Sequence, residues 1–339
     1  MRGIYYAAIL ITGSAAGANA AESPSAFYAN KQITLTVGTS GGGSYDLYGR
    51  TLAQFLPDHI PGRPSIIVRN VPGSSGLALA NSTFNTAPKD GTFIAISPAG
   101  MILSEVLEPE TLAFKARQFG WVGTMSTMTD VLAVFKKTGI EKIEDVKNRP
   151  TMIGAGNKVG NPSIYAAVSN AILGTKFRIV LGYPGGTEMN LAMEQGELEG
   201  RTNQWDSWKT QRPQWIREGK LSYLLQFGPK VDELAGVPAI DDFAKSPDDR
   251  AVVDLLNVGE LVGRSIYAPP GVPVERMAIL RTAFDDTMRD PRYIARMKEL
   301  GLDMLARKGG DLQADIERAM ANTEHVAVIL RKIIQAQFP

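Results

Sequence analysis

The sequence predicts an α/β fold divided into two lobes, each a mainly parallel sheet flanked by helices. Short apolar runs with strand character alternate with segments of helical periodicity through most of the 339 residues, a pattern typical of parallel sheets covered by helices. A chain of this length commonly forms two domains, by the rule of about 150 residues per domain. Its content of 44% hydrophobic residues is enough for two ordinary cores.

The alternation places the elements in a definite order along the chain. Strands are predicted at 33–37, 65–68, 92–96, 131–135, 151–153, 178–181, 222–226 and 265–268. Helices are predicted at 45–56, 75–85, 163–173, 188–195, 206–218, 274–288 and 312–334. Glycine- and proline-rich turns fit the bends between them, and no repeat or long linker interrupts the pattern. We therefore expect the chain to cross between two lobes rather than to form two successive domains.

The first 20 residues are typical of a secretory signal peptide. Arg2 precedes an apolar run over residues 4–11 and small residues that end in Ala18-Asn19-Ala20, an Ala-x-Ala cleavage site. This run is shorter than the roughly 20 residues that cross a bilayer. Since the sequence has no cysteine, it lacks disulfides, thiol catalysis and the acylated cysteine of a lipoprotein. We expect an exported protein without a lipid anchor.

The charge balance and the motifs exclude several classes of function. The sequence has 36 basic and 35 acidic residues, so no net field attracts nucleic acid or anionic lipid. It lacks the Gly-Lys-Ser/Thr of a P-loop, the third glycine of a Rossmann fingerprint and the spacing of a calcium loop. We therefore expect no cofactor, no metal and no nucleic-acid partner, and we expect a monomer.

The most informative stretch joins the strand at 33–37 to the helix at 45–56. Between them lies Gly38-Thr39-Ser40-Gly41-Gly42-Gly43-Ser44, followed by Tyr45-Asp46. A strand that passes through glycines into a helix leaves unpaired backbone N–H groups at the helix start, which suits an anionic group. Residues 154–163 repeat this strand, glycine and helix pattern in the other half of the chain. Two such loops that face each other would hold a small anion from both sides.

The first loop also matches the Gly-x-Ser-x-Gly nucleophile elbow through Ser40, which makes a secreted serine hydrolase the alternative function. A serine nucleophile needs a base, and His59 and His325 are the two histidines of the chain. The composition around His59 is that of a surface turn, and His325 falls inside the predicted C-terminal helix. This alternative is therefore the weaker one.

Six motifs in order resemble the periplasmic receptors of tripartite tricarboxylate transporters, the Bug-type solute-binding proteins. They cover nearly all of the chain after the signal peptide. The motifs are Gly41-Gly42-Gly43-Ser44-Tyr45-Asp46, Asn70-Val71-Pro72-Gly73-Ser74-Ser75-Gly76, Ala87-Pro88-Lys89-Asp90-Gly91-Thr92, the loop at 154–163, Gly182-Tyr183-Pro184-Gly185-Gly186-Thr187 and Ala268-Pro269-Pro270-Gly271-Val272-Pro273.

The resemblance implies a two-lobe periplasmic binding protein, type II-like, with the ligand cleft between the lobes. Lobe 1 would comprise residues 31–128 and 229–339, and lobe 2 residues 129–228. The implied function is capture of a small organic acid (a di- or tricarboxylate, an aromatic acid or an amino acid) by lobe closure, without chemistry. The implied partners are the membrane subunits of a tripartite transporter, with a sensor kinase as an alternative recipient.

The resemblance also implies which residues line the cleft. In lobe 1 these are Thr39, Ser40, Gly41, Gly42, Gly43, Ser44, Tyr45, Asp46 and Ser97. In lobe 2 they are Gly156, Asn157, Val159, Gly160, Ser163, Tyr183, Thr187, Glu188, Asn203 and Trp205. The family more often has Pro-Pro or Pro-Ala where this chain has Thr39-Ser40, which adds two hydroxyls at the mouth of the anion site.

Four of these positions, and also Arg201, keep a second interpretation from the residues alone. Asp46 either contacts the ligand or braces its loop, as an acid in a first helical turn does. Tyr183 either contacts the ligand or packs on a helix, and Glu188 either repels a second carboxylate or faces solvent. Arg201 either pairs with a ligand carboxylate or with a nearby acid such as Glu199, and Trp205 either caps the pocket or is buried near the hinge.

Overall fold

The computed structural model describes residues 26–110, 112–183, 185–321 and 323–338, so the predicted signal peptide at 1–20 lies outside the described residues. In this part of the chain the strands are β1 (Gln32–Val37), β2 (Ser65–Asn70), β3 (Phe93–Ile96), β4 (Gly120–Thr124), β5 (Asp130–Phe135), β6 (Thr151–Gly154), β7 (Phe177–Val180), β8 (Gly200–Gln204), β9 (Leu221–Phe227), β10 (Ser265–Ala268) and β11 (Arg307–Lys308).

The helices of the same part of the chain pack on both faces of the sheets. They are α1 (Ser44–His59), α2 (Leu77–Asn85), α3 (Met101–Leu107), α4 (Asn161–Leu173), α5 (Gly186–Gln195), α6 (Trp205–Gln211), α7 (Pro213–Arg217), α8 (Pro247–Val262), α9 (Val274–Arg289), α10 (Pro291–Glu299), α11 (Gly309–Ala319) and α12 (Thr323–Gln337). The helix predicted at 206–218 is divided by Pro213, which begins α7. The helix predicted at 312–334 is likewise two helices, α11 and α12.

The strands form two sheets, which confirms the α/β class and the two-lobe architecture. The first sheet has the order β11-β4-β10-β3-β1-β2 and the second the order β7-β6-β8-β5-β9. The chain leaves the first sheet after β4 and returns to it at β10. The lobe limits at 128/129 and 228/229 fall in the connections after β4 and after β9, and they stay a prediction.

Both sheets are mixed, which differs from the predicted mainly parallel arrangement. In the first sheet β1, β2 and β3 are parallel, whereas β10 is antiparallel to both β3 and β4. In the second sheet β6, β7 and β8 are parallel, whereas β5 is antiparallel to β8 and β9. The reason is that the chain passes from one lobe to the other just before β5 and again before β10. Each of these strands therefore begins at the edge of its sheet where the parallel strands end, and it runs in the opposite direction to them.

The cores of the two lobes are continuous. One cluster of buried side chains includes Tyr267 of the first sheet and Leu132 and Ile153 of the second. Helix α12 packs against α3, α4 and α8, and Asn170 of α4 donates a 2.7 Å hydrogen bond to Gln337 of α12. The C-terminal helix therefore lies across both halves of the chain.

Candidate ligand-binding site

The ends of the parallel strands of both sheets meet at one place. In the first sheet, β1 and β3 end at the edge where Ser265 of β10 pairs with Thr124 of β4. In the second sheet, β6 and β8 end at the edge where Asp130 of β5 pairs with Gln204. A Cβ atom placed on Gly100, just before α3, would lie 3.9 Å from Oδ1 of Asn161 at the start of α4. Helix starts from the two halves of the chain therefore face each other.

Asp46 fixes the first glycine loop. The residue is 4% exposed, and its carboxylate accepts hydrogen bonds from the Gly42 amide (2.8 Å), Arg50 Nε (2.9 Å) and Asn70 Nδ2 (2.9 Å). Burial raises the pKa of Asp46, but the hydrogen bonds from Arg50, Gly42 and Asn70 outweigh it and hold the pKa below its usual range. Asp46 thus braces the loop, which is one of the two roles expected for it.

The backbone of this loop also depends on Asn70 and on glycine. Asn70 Nδ2 donates to the Thr39 carbonyl at 3.0 Å, and Asn70 Oδ1 accepts from Arg50 Nη2 at 2.8 Å. Gly42 has φ of +85°, a left-handed conformation that favours glycine. Helix α1 begins after Gly43 without a side-chain cap, so its first-turn amides have no partner within the helix. The loop presents these donors in one fixed conformation.

The other positions predicted in lobe 1 divide into exposed and packed residues. Ser40, Gly41, Gly42, Gly43 and Ser44 are exposed on the loop. The hydroxyl oxygen of Thr39 is buried and has no hydrogen-bond partner in the described structure. The Tyr45 hydroxyl accepts from the Ala99 amide at 3.2 Å, and Ser97 Oγ shares a 2.6 Å hydrogen bond with the Tyr267 hydroxyl.

The loop of the second half is held by smaller groups. Ser163 is 1% exposed and its hydroxyl donates to the Asn157 carbonyl, while Asn157 Oδ1 accepts from the Val159 amide at 3.0 Å. Gly156, Asn157 and Val159 are exposed, and Gly160 precedes the first residue of α4. Like α1, α4 begins without a side-chain cap.

A third helix start, that of α5, adjoins this loop. Thr187 and Glu188 are exposed and Tyr183 is half-buried against the core beneath α5. Asn203 of β8 is half-buried, and its Nδ2 atom is buried without a partner in the described structure. Trp205 is buried: its Nε1 donates to Glu233 at 3.1 Å and its ring meets Tyr223 edge-on. Of its two predicted roles, the geometry favours the buried one.

Arg264 is a site residue that the sequence analysis missed. Its side chain is 1% exposed and lies between the lobes, where Nη2 donates to Ser44 Oγ (3.2 Å) and to Gln204 Oε1 (3.1 Å). The Asp206 carboxylate lies 3.5 Å from Nη2, and the guanidinium is 4.2 Å from the centre of the Tyr45 ring. A single arginine in a helix-to-strand turn belongs to no motif, so the sequence offered no signal for it. It joins the first loop to the end of β8 with a permanent positive charge.

A buried pair of acids lies where the chain crosses between the sheets. Glu260 is fully buried and accepts a hydrogen bond from the Tyr165 hydroxyl, and Asp130 is buried close enough to affect its ionisation. Burial, and then the nearby Asp206, raise the pKa of Asp130 to about 7, while burial and Asp130 raise the pKa of Glu260 well above its usual range. Both carboxyl groups are therefore harder to ionise than an exposed acid.

The histidines required by the hydrolase alternative are engaged elsewhere. His59 Nε2 lies 3.1 Å from Asp290, and His325 Nε2 lies 2.8 Å from Asp248. Among the described residues, neither histidine forms a hydrogen bond with Ser40. A depression of about 560 Å³ lined by Phe135 and Trp215 lies at the opposite edge of the second sheet, away from both glycine loops.

These features define the fold class as that of a two-lobed periplasmic binding protein, and solved structures agree. A TctC solute-binding protein from Polaromonas matches with a TM-score of 0.69 and 18% identity, over 91% of this chain and 99% of its own. The protein Rpa4515 of Rhodopseudomonas palustris, solved with adipate, matches at 0.62 and 20% identity over 89% and 97%. MatC of the same organism, with bound malate, matches at 0.60 and 18% over 88% and 99%.

At these identities the likeness is one of fold. No protein-family model matches the sequence, and no curated protein sequence matches it. None of the helices in the described ranges has the length and apolarity needed to cross a membrane.

Proposed function

We propose that this protein is a periplasmic solute receptor of the tripartite tricarboxylate transporter type. It binds a small carboxylate-bearing solute between its lobes and delivers it to membrane subunits, without chemical conversion. The observation that carries the proposal is the arrangement of uncapped helix starts at facing sheet edges, with the first loop locked by Asp46. Such amides bind carboxylates through the helix dipole and hydrogen bonds.

The neighbours in fold support the choice of ligand class. MatC was solved with malate and Rpa4515 with adipate, and both molecules are dicarboxylates. The six motifs of the sequence support the same family, and the N-terminal 20 residues support export to the periplasm. The cleft residues are those of the two glycine loops and the start of α5, together with Arg264.

A thermal-shift screen of the purified protein against di- and tricarboxylates, aromatic acids, amino acids and neutral controls tests the proposal. A ligand at 100-fold excess over its dissociation constant stabilises the folded state by about 2.7 kcal/mol, which gives a clear rise in melting temperature. We expect stabilisation by one class of carboxylate. Stabilisation by neutral compounds alone, or by no acid, would contradict a receptor for organic acids.

A Ser40→Ala variant separates binding from hydrolysis. In a receptor, loss of this exposed hydroxyl weakens ligand binding by no more than about tenfold, since it removes at most one hydrogen bond. In a hydrolase, it abolishes turnover of ester substrates. Esterase activity in the unmodified protein that disappears in the variant would replace the receptor by the hydrolase.

A further inference from the structure

Arg264 is a buried cation whose anionic partner belongs to the other sheet. It lies in the turn between α8 and β10 of the first sheet, whereas Asp206 lies in α6, which follows β8 of the second sheet. Among the described residues, Asp206 supplies the ion pair of Arg264, at 3.5 Å from Nη2. A buried charge that loses its partner is costly. The free energy of this arginine therefore depends on contact between the two lobes.

The other contacts of Arg264 also reach both lobes. Its Nη2 donates to Ser44 Oγ of the first loop and to Gln204 Oε1 at the end of β8. The guanidinium lies 4.2 Å from the ring centre of Tyr45 and 5.5 Å from that of Tyr48, both in α1. These rings hold the planar guanidinium on the side of the first sheet. Its free edge is thereby directed to the groups of the second sheet.

Two other acids lie close to Arg264 but do not replace Asp206. Burial raises the pKa of Asp130 to about 7 and that of Glu260 well above its usual range, and the attraction of Arg264 offsets this only in part. Neither acid therefore carries a full negative charge at neutral pH. The contact that neutralises Arg264 is the one between the lobes.

A second ion pair connects the same helix with the first lobe. Lys209 of α6 lies 3.4 Å from the carboxylate of Asp303, in the segment between α10 and β11 of the first sheet. Helix α6 thus supplies the acid to one pair, through Asp206, and the base to the other. Because the two pairs have opposite polarity, they are satisfied together in one relative position of the lobes. The second pair is partly exposed and is the weaker one.

Both pairs lie beside the points where the chain crosses between the lobes. The Met128 amide donates to the Glu260 carbonyl at 3.0 Å, and the Gly228 amide donates to Asn257 Oδ1 at 3.1 Å. Glu260 and Asn257 belong to the last two turns of α8, so both crossings are fixed to the helix that leads to Arg264. A hinge rotation about these crossings changes the distance between α6 and Arg264.

We propose that Arg264 forms a latch with Gln204 and Asp206 that holds the two lobes together in the absence of ligand. Arg264 is then a positioning residue, which acts on the relative position of the two glycine loops. A ligand binds to lobes that already face each other, so less of its binding free energy is used for closure. The latch acts in the free protein, and it therefore goes beyond the proposed function and does not depend on it.

The test is the distance between spin labels in the two lobes, measured by pulsed electron paramagnetic resonance without ligand. Since the sequence has no cysteine, Lys298→Cys in α10 and Gln195→Cys at the end of α5 provide two defined labels at exposed positions. We expect one predominant distance while Arg264 is intact. In Arg264→Gln, we expect on the order of half of the molecules or more to show a second distance, from separated lobes.

Arg276→Gln is the matched control. Arg276 also stacks on an aromatic ring, that of Phe27 at 3.6 Å, and donates to the Asp90 carbonyl at 2.8 Å, but these contacts lie on the side of the first sheet. This variant is expected to keep the single distance. Lys209→Met is expected to give a smaller second population than Arg264→Gln, because its ion pair is more exposed.

Binding kinetics provide a second readout, with malate and adipate as the probes. If the latch also holds the liganded form closed, Arg264→Gln raises the dissociation rate of a bound probe by about tenfold, while Arg276→Gln leaves it unchanged. Arg264→Lys keeps the charge and is expected to restore most of the slow dissociation. A merely structural role of Arg264 would lower the melting temperature without adding a second distance.

The outcomes separate the latch from the proposed function. An unchanged distance distribution in a folded Arg264→Gln overturns the latch. If that variant does not fold, an unchanged distribution in Asp206→Asn, which removes only the charge of a partly exposed acid, overturns it. Separated lobes in the labelled protein with Arg264 intact overturn it as well. Binding of no acid contradicts the receptor and leaves the latch in place, because the distances are measured without ligand.

Discussion

The anion sites proposed in the two lobes are built in opposite ways. In lobe 1 the glycine loop is held by an acid, Asp46, whose charge is balanced by Arg50 and whose oxygens are bonded to Gly42 and Asn70. In lobe 2 the loop is held by the small hydroxyl of Ser163. The nearby Arg201 is buried without an ion pair among the described residues, because Glu199 pairs with Arg149.

The difference indicates that the two lobes contribute differently to affinity and to selectivity. In lobe 1 the side chains that brace the loop are hydrogen-bonded to one another, and the unpaired donors are backbone amides at the start of α1. These amides are donors that any carboxylate satisfies. In lobe 2 the unused donors are side-chain nitrogens, so the binding free energy there depends on which acceptor groups the ligand has. We therefore propose that general affinity for an acid lies in lobe 1 and selection among acids in lobe 2.

The change with the largest expected effect is Asp46→Ala. It leaves the Gly42 amide and the Asn70 side chain without their acceptor, so the loop loses its fixed conformation. We expect the free energy of unfolding to fall by about 2–4 kcal/mol and the affinity for acids to fall by about 30-fold or more. Urea denaturation and calorimetry measure the two effects.

Asp248→Ala is a control of the same chemical change at an exposed position. It removes a surface contact with His325 and is expected to alter stability by less than about 1 kcal/mol. If Asp46→Ala were as mild as this control, the internal bracing of lobe 1 would not govern binding, and the contrast between the lobes would fail.

The next prediction concerns the acid pair where the two lobes meet. The folded protein holds protons on Asp130 and Glu260 that the unfolded chain releases near pH 4, since both pKa values are raised in the fold. Stability therefore falls as pH rises from about 4 through about 7. Glu260→Gln, which imitates the protonated acid and can keep a contact to Tyr165, is expected to flatten this slope between pH 5 and 8.

Melting temperatures across this pH range, for the unmodified protein and the variant, check the prediction. Asp248→Asn, on the surface of the same helix, is expected to keep the original slope. Equal slopes in Glu260→Gln and the unmodified protein would mean that the pair does not titrate in this range.

The sequence predicted what glycine and apolar patterns encode and missed what depends on tertiary contacts. The eight predicted strands are present, but the two-residue β11 was missed, and β4 and β8 were missed because glycines and polar residues interrupt them. A Cβ on Gly123 would lie 2.2 Å from Phe284, and one on Gly200 would lie 2.2 Å from the Ala133 carbonyl, so both strands need glycine for close packing. Their strand character comes from their neighbours rather than from their own propensity.

The site shows the same limit. Asp46 was identifiable as an acid in a first helical turn, and its bracing role was one of two stated. Arg264 was not identifiable, because its partners Ser44 and Gln204 are distant in sequence and meet only when the lobes are assembled. The burial of Arg201 was likewise hidden, since a polar strand such as β8 gives no sign of which side chains face the core.

A third prediction tests the second loop directly. Ser163→Ala removes the hydroxyl that donates to the Asn157 carbonyl from a buried position. We expect a loss of about 1 kcal/mol in the free energy of unfolding and a loss of about threefold to tenfold in acid affinity. Denaturation and calorimetry measure both. A loss as large as that for Asp46→Ala would show that the two loops are braced with equal strength.

The smallest effect is expected for Ser44→Ala, the same chemical change in the first loop. Ser44 is exposed and accepts from Arg264, which keeps its contacts with Gln204 and Asp206 when the hydroxyl is lost. Since Asp46 rather than Ser44 fixes this loop, stability should change by less than about 0.5 kcal/mol and affinity by less than about twofold.

The variants Ser44→Ala and Ser163→Ala therefore remove the same group, a serine hydroxyl, from each of the two lobes, and the same measurements compare their effects. If Ser44→Ala were the more damaging of the two, the hydroxyl contact to Arg264 rather than the aspartate would organise the lobe 1 site, and the order of the two lobes in rigidity would be reversed.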